Sequence, residues 1–237
     1  MTQTCWLSII IPHYNTPDLL CRQLDSIGRH DDVQVIVVDD HSDSFREELS
    51  VCRDRYSHVL FLQTDPGRKG AGAARNAGLR RAESEWLLFA DADDAFLPGW
   101  YDIVSEYRTT DCDMVFFVPE GRRDDGTKTT RHLLYRRLIE EYLSDRYGGE
   151  ERLRFRFSVP WSKLIRRDVV VRNGIWFDEI QYSNDVMFSA KTGYRSGKIT
   201  ADRRGIYCVT DRRGSLTDNN YSEIYLKRMR VICERES

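Results

Sequence analysis

Five short apolar runs recur through residues 1–119, each separated from the next by a stretch with helical character. They are "LSIIIP" (7–12), "VQVIVVDD" (33–40), "HVLFLQ" (58–63), "EWLLFA" (85–90) and "DMVFFV" (113–118). Runs this short, apolar at successive positions, are strands covered on both faces. The intervening segments carry helix punctuation. In 15–28, Thr16 stands at the N-cap position and Pro17 at the first helical position. Leu20, Leu24 and Ile27 share a face there, and Gly28 is a stop. Segments 44–55, 70–82 and 98–107 also read as helices. Strands alternating with helices at this spacing require crossover connections, hence an α/β chain with a mostly parallel sheet.

The second half is less regular. Asp125-Gly126 is a turn signal, and 130–149 reads as one helix ended by the pair Gly148-Gly149. Segments 161–179 and 183–199 read as helix and strand pieces with stops at Gly174 and Gly193. No repeat or linker divides the chain, so 1–237 is expected to be one domain. Its last residues, "MRVICERES", still read as helix, so further sequence beyond them is expected.

Composition sets broad limits. With 237 residues, 41% of them hydrophobic, the chain can bury a core without disulfides. Six scattered cysteines, none in a CxxC pair, suit a reducing cytoplasm. No apolar run approaches the ~18 residues of a membrane span. A cytoplasmic protein is expected, with peripheral contact at the inner membrane face and no nucleic-acid partner. The net charge of −2 hides an asymmetry: 1–119 has 11 Lys+Arg against 20 Asp+Glu (−9), and 120–237 has 25 against 18 (+7).

In an open parallel sheet, ligands bind beyond the carboxyl ends of the strands. Asp39 and Asp40 end the second run there, and Asp91, Asp93 and Asp94 follow the fourth. A divalent cation relieves repulsion within such a cluster. Mg²⁺ and Mn²⁺ take one or two carboxylates and complete their shell with water and phosphate oxygens. The glycines in "GRKGAGAARNAG" fit neither a P-loop nor a dinucleotide fingerprint. Gly70 and Gly72 permit close approach at a helix start, where the backbone N–H groups and Arg75 suit a diphosphate. The alternative use of these glycines is helix–sheet packing. The five histidines show no metal spacing and are assigned no chemistry.

In order, "LSIIIPHYN", "VQVIVVDDHSD", "GAGAARNAG" and "WLLFADADDAFLPG" resemble the inverting family 2 glycosyltransferases of the GT-A fold. This group includes nonprocessive enzymes of bacterial capsule, O-antigen and exopolysaccharide synthesis. The likeness resumes in "VPWSKLIRRDVVVRNGIWFDEIQYSNDVMFSAKTG" and "IYCVTDRRGSLT". The resemblance implies a GT-A domain with a Rossmann-like, mostly parallel sheet and a smaller mixed region on the acceptor side. It makes 1–119 the nucleotide-sugar half and 120–237 the acceptor half. It implies a nucleoside-diphosphate sugar donor, expected to be a UDP-sugar, and a glycan or lipid-linked acceptor.

Residue by residue, it puts Pro12 and Tyr14 at the nucleotide base, with Asp40 accepting from the base and Asp39 beside it. Arg75 falls near the base and diphosphate. Asp91, with Asp93 and Asp94, falls at Mn²⁺ or Mg²⁺, and Arg212 and Arg213 over the diphosphate. Inversion needs a base for the acceptor hydroxyl, and Asp185 holds that position. The family pattern has glutamate before it, where this chain has Asn184. That departure favours the rival reading, a noncatalytic sugar-nucleotide-binding or scaffolding protein. Trp161 is assigned to the core rather than to a sugar.

Overall fold

A computed structural model describes residues 5–123, 127 and 129–211. The first half follows the predicted alternation. It contains β1 (Leu7–His13), α1 (Pro17–Ile27), β2 (Val33–Asp39), α2 (Arg46–Arg55), β3 (Leu60–Gln63), α3 (Ala71–Arg81), β4 (Trp86–Phe89), β5 (Ala95–Phe96), α4 (Trp100–Ser105) and β6 (Met114–Phe117). The second half supplies β7 (Glu120–Arg123), α5 (Leu133–Ser144), α6 (Arg146–Arg156), β8 (Lys163–Arg166), α7 (Arg167–Arg172), α8 (Val186–Arg195), β9 (Ile199–Asp202) and β10 (Tyr207–Asp211).

A seven-stranded sheet runs in the order β3-β2-β1-β4-β8-β6-β9 among the described residues. The pairs β1–β2, β2–β3, β1–β4 and β6–β9 are parallel. Of these strands β8 alone opposes its neighbours, pairing antiparallel with both β4 and β6. Ile9, Ile10, Ile11, Ile36, Val37 and Leu88 are buried, as apolar strand runs covered on both faces require. The winding direction reverses between β1 and β4, and a crevice forms at such a point. A second sheet, β5-β10-β7, pairs β10 antiparallel to β5 and parallel to β7. It realises the smaller mixed region; β5 has only two residues and β7 is the polar stretch Glu120–Arg123, so neither leaves an apolar run in the sequence.

Three local expectations change. Thr16 holds the N-cap position of α1 but makes no side-chain cap bond, and Pro17 starts the helix. Gly148 and Gly149 do not end a helix. The chain turns at Asp145, whose carboxylate accepts from Gly148 N at 3.2 Å and caps α6. A Cβ at Gly149 would lie 2.5 Å from Tyr142 Cα, so this glycine lets α6 pack against α5. Gly193 lies inside α8 against the carbonyl of Arg154, and α8 runs on to Arg195. Asp125-Gly126 falls outside the described residues.

Candidate active site

Strand ends converge at the crevice. His13 pairs with Asp39 across β1 and β2, and Ala90 N donates to Ile10 O at 3.1 Å. Asp40 and Asp91 therefore emerge beyond strands of one sheet that flank β1. The loops there are tied together: Asn15, at φ 52°, donates from N to Ser42 Oγ at 2.9 Å and from Nδ2 to Asp43 Oδ1 at 2.7 Å. Pro12 is half-buried at the end of β1. Tyr14, just past the end of β1, stands 51% exposed, its hydroxyl donating to Asp43 at 3.3 Å.

The two carboxylates after β2 differ in use. Asp39 is 2% exposed and turned inward. Its Oδ1 accepts from His13 Nδ1 at 2.9 Å and Ser42 Oγ at 2.5 Å, and its Oδ2 accepts from Ser42 N at 3.1 Å. Thr16 N donates to His13 Nε2 at 3.2 Å, which leaves Nδ1 as the protonated nitrogen facing Asp39. Burial alone would raise the Asp39 carboxyl, but the hydrogen bonds from His13 and Ser42 outweigh it and hold the group down at about 2. Asp39 thus fixes the loop after β2 from below. Asp40 accepts from Thr64 Oγ1 at 3.1 Å and Gly70 N at 2.7 Å, anchoring the start of α3. Each oxygen keeps a lone pair for a further donor.

Arg75 is buried, and its guanidinium is held by protein groups. It donates to Asp91 Oδ1 at 2.5 Å and to Asn184 Oδ1 at 2.8 Å, and lies 5.3 Å from the Phe177 ring centroid. Asn184, the departure from the family pattern, therefore joins the segment before α8 to the end of β4. Any side chain at Gly72 would meet the carbonyl of Asp178, so the room at this helix start is taken by the protein's own backbone.

The three aspartates after β4 also separate. Asp94 is 2% exposed; its Oδ2 accepts from Tyr207 Oη at 2.8 Å and its Oδ1 from Thr210 N at 2.7 Å. Burial, reinforced by Asp93 and Asp91, raises its carboxyl well above the usual range. Asp94 is thus an anchor for β10, whereas Asp91 and Asp93 are both half-buried. Tyr207 Oη also accepts from Asp91 N at 2.8 Å, and its ring stacks on Trp161 with centroids 5.7 Å apart. Trp161 is a core residue, as expected.

Among the described residues, no group of three or more His, Cys, Asp or Glu is placed to hold a metal. A Mg²⁺ or Mn²⁺ ion needs only one or two carboxylates when phosphate oxygens and water complete its shell. Asp91 and Asp93, two half-buried carboxylates two residues apart, are of the type and number that smaller requirement asks for. Asp185 holds the N-cap position of α8 without spending its carboxylate on a cap bond. Burial raises its carboxyl, and Arg75 is the foremost group opposing the rise. Arg212 and Arg213 lie outside the described residues.

The mostly parallel seven-stranded sheet with its winding reversal, and the small mixed sheet beside it, make this an α/β protein of the GT-A type. Residues 8–173 match the model of "Glycosyl transferase family 2", and the chain belongs to that family. A poly(ribitol-phosphate) beta-glucosyltransferase of Bacillus spizizenii is 35% identical over 109 residues, covering 42% of this chain and 17% of that protein. The poly(ribitol-phosphate) beta-N-acetylglucosaminyltransferase TarS of Staphylococcus aureus is 25% identical over 95% of this chain and 39% of its own length. The chain thus spans less than half of either relative. The crystal structure of S. aureus TarS 1–349 in complex with UDP-GlcNAc superposes with a TM-score of 0.73 at 22% identity, over 95% of this chain and 65% of that one. A mannosyltransferase from Pyrobaculum calidifontis in complex with GDP-Man and Mn²⁺ gives 0.61 at 16%, over 94% and 60%.

Proposed function

We propose that this chain transfers a sugar from a nucleoside-diphosphate sugar to an acceptor hydroxyl with inversion, in the synthesis of a bacterial surface polysaccharide. The observation that carries the reading is the Asp91–Arg75–Asn184 bridge, which ties the loop that follows β4 to the immediate neighbour of Asp185. Pro12, Tyr14 and Asp40 line the side of the cleft assigned to the base. Arg75 fixes Asp91 in orientation and supplies positive potential to the diphosphate end. A divalent ion held by Asp91 and Asp93 with the diphosphate would neutralise charge on the leaving group. Asp185 accepts the acceptor's proton as its oxygen attacks the anomeric carbon, and the bond to the nucleoside diphosphate breaks. A carboxyl raised by burial is the better proton acceptor for that task.

A UDP-sugar is supported as donor by the TarS structures bound to UDP and UDP-GlcNAc. A phosphate-bearing glycan or lipid-linked acceptor is supported by the basic balance of residues 120–237 and by the poly(ribitol-phosphate) named for the relatives. The same balance supports peripheral contact with an anionic inner leaflet. In this role residues 1–237 act as one unit in a cytoplasmic setting.

Calorimetric titration of UDP, GDP, dTDP and CMP, with Mn²⁺ and with EDTA, tests it. Metal-dependent binding of one diphosphate, lost in Asp93→Ala, is expected. Failure of every nucleotide to bind in the presence of metal overturns it.

A further inference from the structure

Residues 173–185 link α7 to α8 with no helix or strand of their own, so their backbone groups take partners from other parts of the fold. Asn76 of α3 supplies two of them. It is 3% exposed, and its amide meets the backbone of Phe177 as a neighbouring strand would. Phe177 N donates to Asn76 Oδ1 at 2.9 Å, and Asn76 Nδ2 donates to Phe177 O at 3.0 Å. The same Nδ2 donates to Glu179 Oε1 at 3.1 Å, and Arg68 donates to that oxygen at 2.6 Å. An amide offers a donor and an acceptor side by side in one plane. Leucine, of similar volume, would fill the space and leave both Phe177 groups unpaired.

Phe177 and its neighbour in turn hold the chain on both sides of Asp185. The Phe177 ring stacks on that of Phe188, in the first turn of α8, with centroids 3.8 Å apart. It also meets Phe89, at the end of β4, at 5.0 Å. Asp178 N donates to Asn184 O at 3.1 Å, closing the loop just before Asp185. Within that loop Ser183 stands at φ 55°, a left-handed conformation that a non-glycine residue keeps only where its surroundings fix it. Gly72, Arg75 and Asn76 lie three and four positions apart on α3, hence on one face. Gly72 admits the carbonyl of Asp178, Arg75 reaches Asp91 and Asn184, and Asn76 pins Phe177. One helix face thus touches both the loop after β4 and the loop that ends in Asp185.

We propose that Asn76 is a positioning residue for the transfer: by pinning Phe177 to α3 it sets Asp185 at a fixed separation from Asp91. The inference rests on the reading of Asp185 as general base. No bond forms or breaks at Asn76. Its part is geometric. A catalytic group displaced by about 1 Å costs on the order of 10²-fold in rate, and the paired bonds to Phe177 prevent that displacement.

Amide hydrogen exchange in Asn76→Ala tests this without turnover. Protection is expected to fall about tenfold or more at Asp178 and Ser189 as well as at Phe177. Ser189 reports the start of α8, since its N–H donates to Asp185 O at 2.9 Å. Strand β1 and helix α1 should keep wild-type protection. Loss confined to Phe177, or spread evenly over the molecule, overturns the inference. In the transfer assay, kcat of Asn76→Ala should fall roughly 10²-fold while KM for the donor stays within about twofold. An unchanged kcat, or kcat and KM failing together, overturns it as well. Phe177→Leu keeps the backbone bonds and removes the stack on Phe188, and it decides the matter if Asn76→Ala does not fold. Ser189 should then lose protection while the Phe177 N–H keeps it, and an unmoved Ser189 overturns the inference. Absent nucleotide binding in the wild type removes the transferase reading, whereas intact binding with Asp178 and Ser189 unmoved in Asn76→Ala removes this inference alone.

Discussion

Arg75 shows how little of a residue's use is visible in its type. The sequence pattern puts it at the diphosphate, and the structure commits two of its nitrogens to Asp91 and Asn184. Arg75→Met removes the counter-charge from a partly buried carboxylate and from Asp185 together. Metal-dependent nucleotide affinity and transfer should both fall, and the acidic limb of the rate profile should move to higher pH. Asp185→Asn should separate binding from chemistry, with nucleotide affinity retained and transfer lowered roughly 10²–10⁴-fold; loss of nucleotide binding as well would place Asp185 in the donor site. Asp39 predicts a stability effect. Its carboxyl sits at about 2 when folded, against about 3.9 when unfolded. The depressed value stabilises the fold above the unfolded pKa, and that contribution drains away as pH falls from about 4 to about 2. Acid unfolding of Asp39→Asn, followed by circular dichroism, should lose this dependence. Asp40, Asp91 and Arg75 stand out as candidates from position and chemistry, and Asp185 from the family resemblance. His13, Ser42 and Tyr207 do not, because each acts through a partner distant in sequence, which leaves no local pattern.

Elements of the first half were legible because each strand is apolar at successive positions and the helices carry proline or glycine boundaries. The break between α5 and α6 was not. A glycine pair after a periodic stretch reads as a stop, yet here Asp145 stops one helix and caps the next, and Gly149 serves the contact between them. Gly72 is the same case at the site. Its missing side chain lets α3 lie against the backbone of Asp178, whose N–H donates to Asn184 O at 3.1 Å. Gly72→Ala must push that segment away, at a cost of about 1–3 kcal/mol for overpacking. It should also separate Asn184 from Arg75. Urea unfolding together with nucleotide titration checks both effects, and unchanged affinity in a destabilised variant would confine Gly72 to packing.

At the scale of the molecule, the charge asymmetry and the sheet order bear on different questions. The basic balance of residues 120–237 predicts that transfer to a phosphate-bearing acceptor weakens as salt rises, while transfer to a neutral sugar hydroxyl does not. Equal salt dependence for both acceptors would remove the anionic acceptor from the reading. The sheet order was the part of the fold least accessible from sequence. Alternation predicts parallel neighbours, whereas β8, arriving late and antiparallel, sits between β4 and β6.

That placement has a consequence for synthesis on the ribosome. The first 119 residues emerge with β3, β2, β1 and β4 able to pair and with β6 unpartnered. The hydrogen-bonding edge of β4 stays bare until residues 163–166 follow. A bare, apolar edge is a template for pairing between nascent chains. A ribosome stalled before residue 163 therefore holds an aggregation-prone product, and release of the β8 segment is the step that closes it.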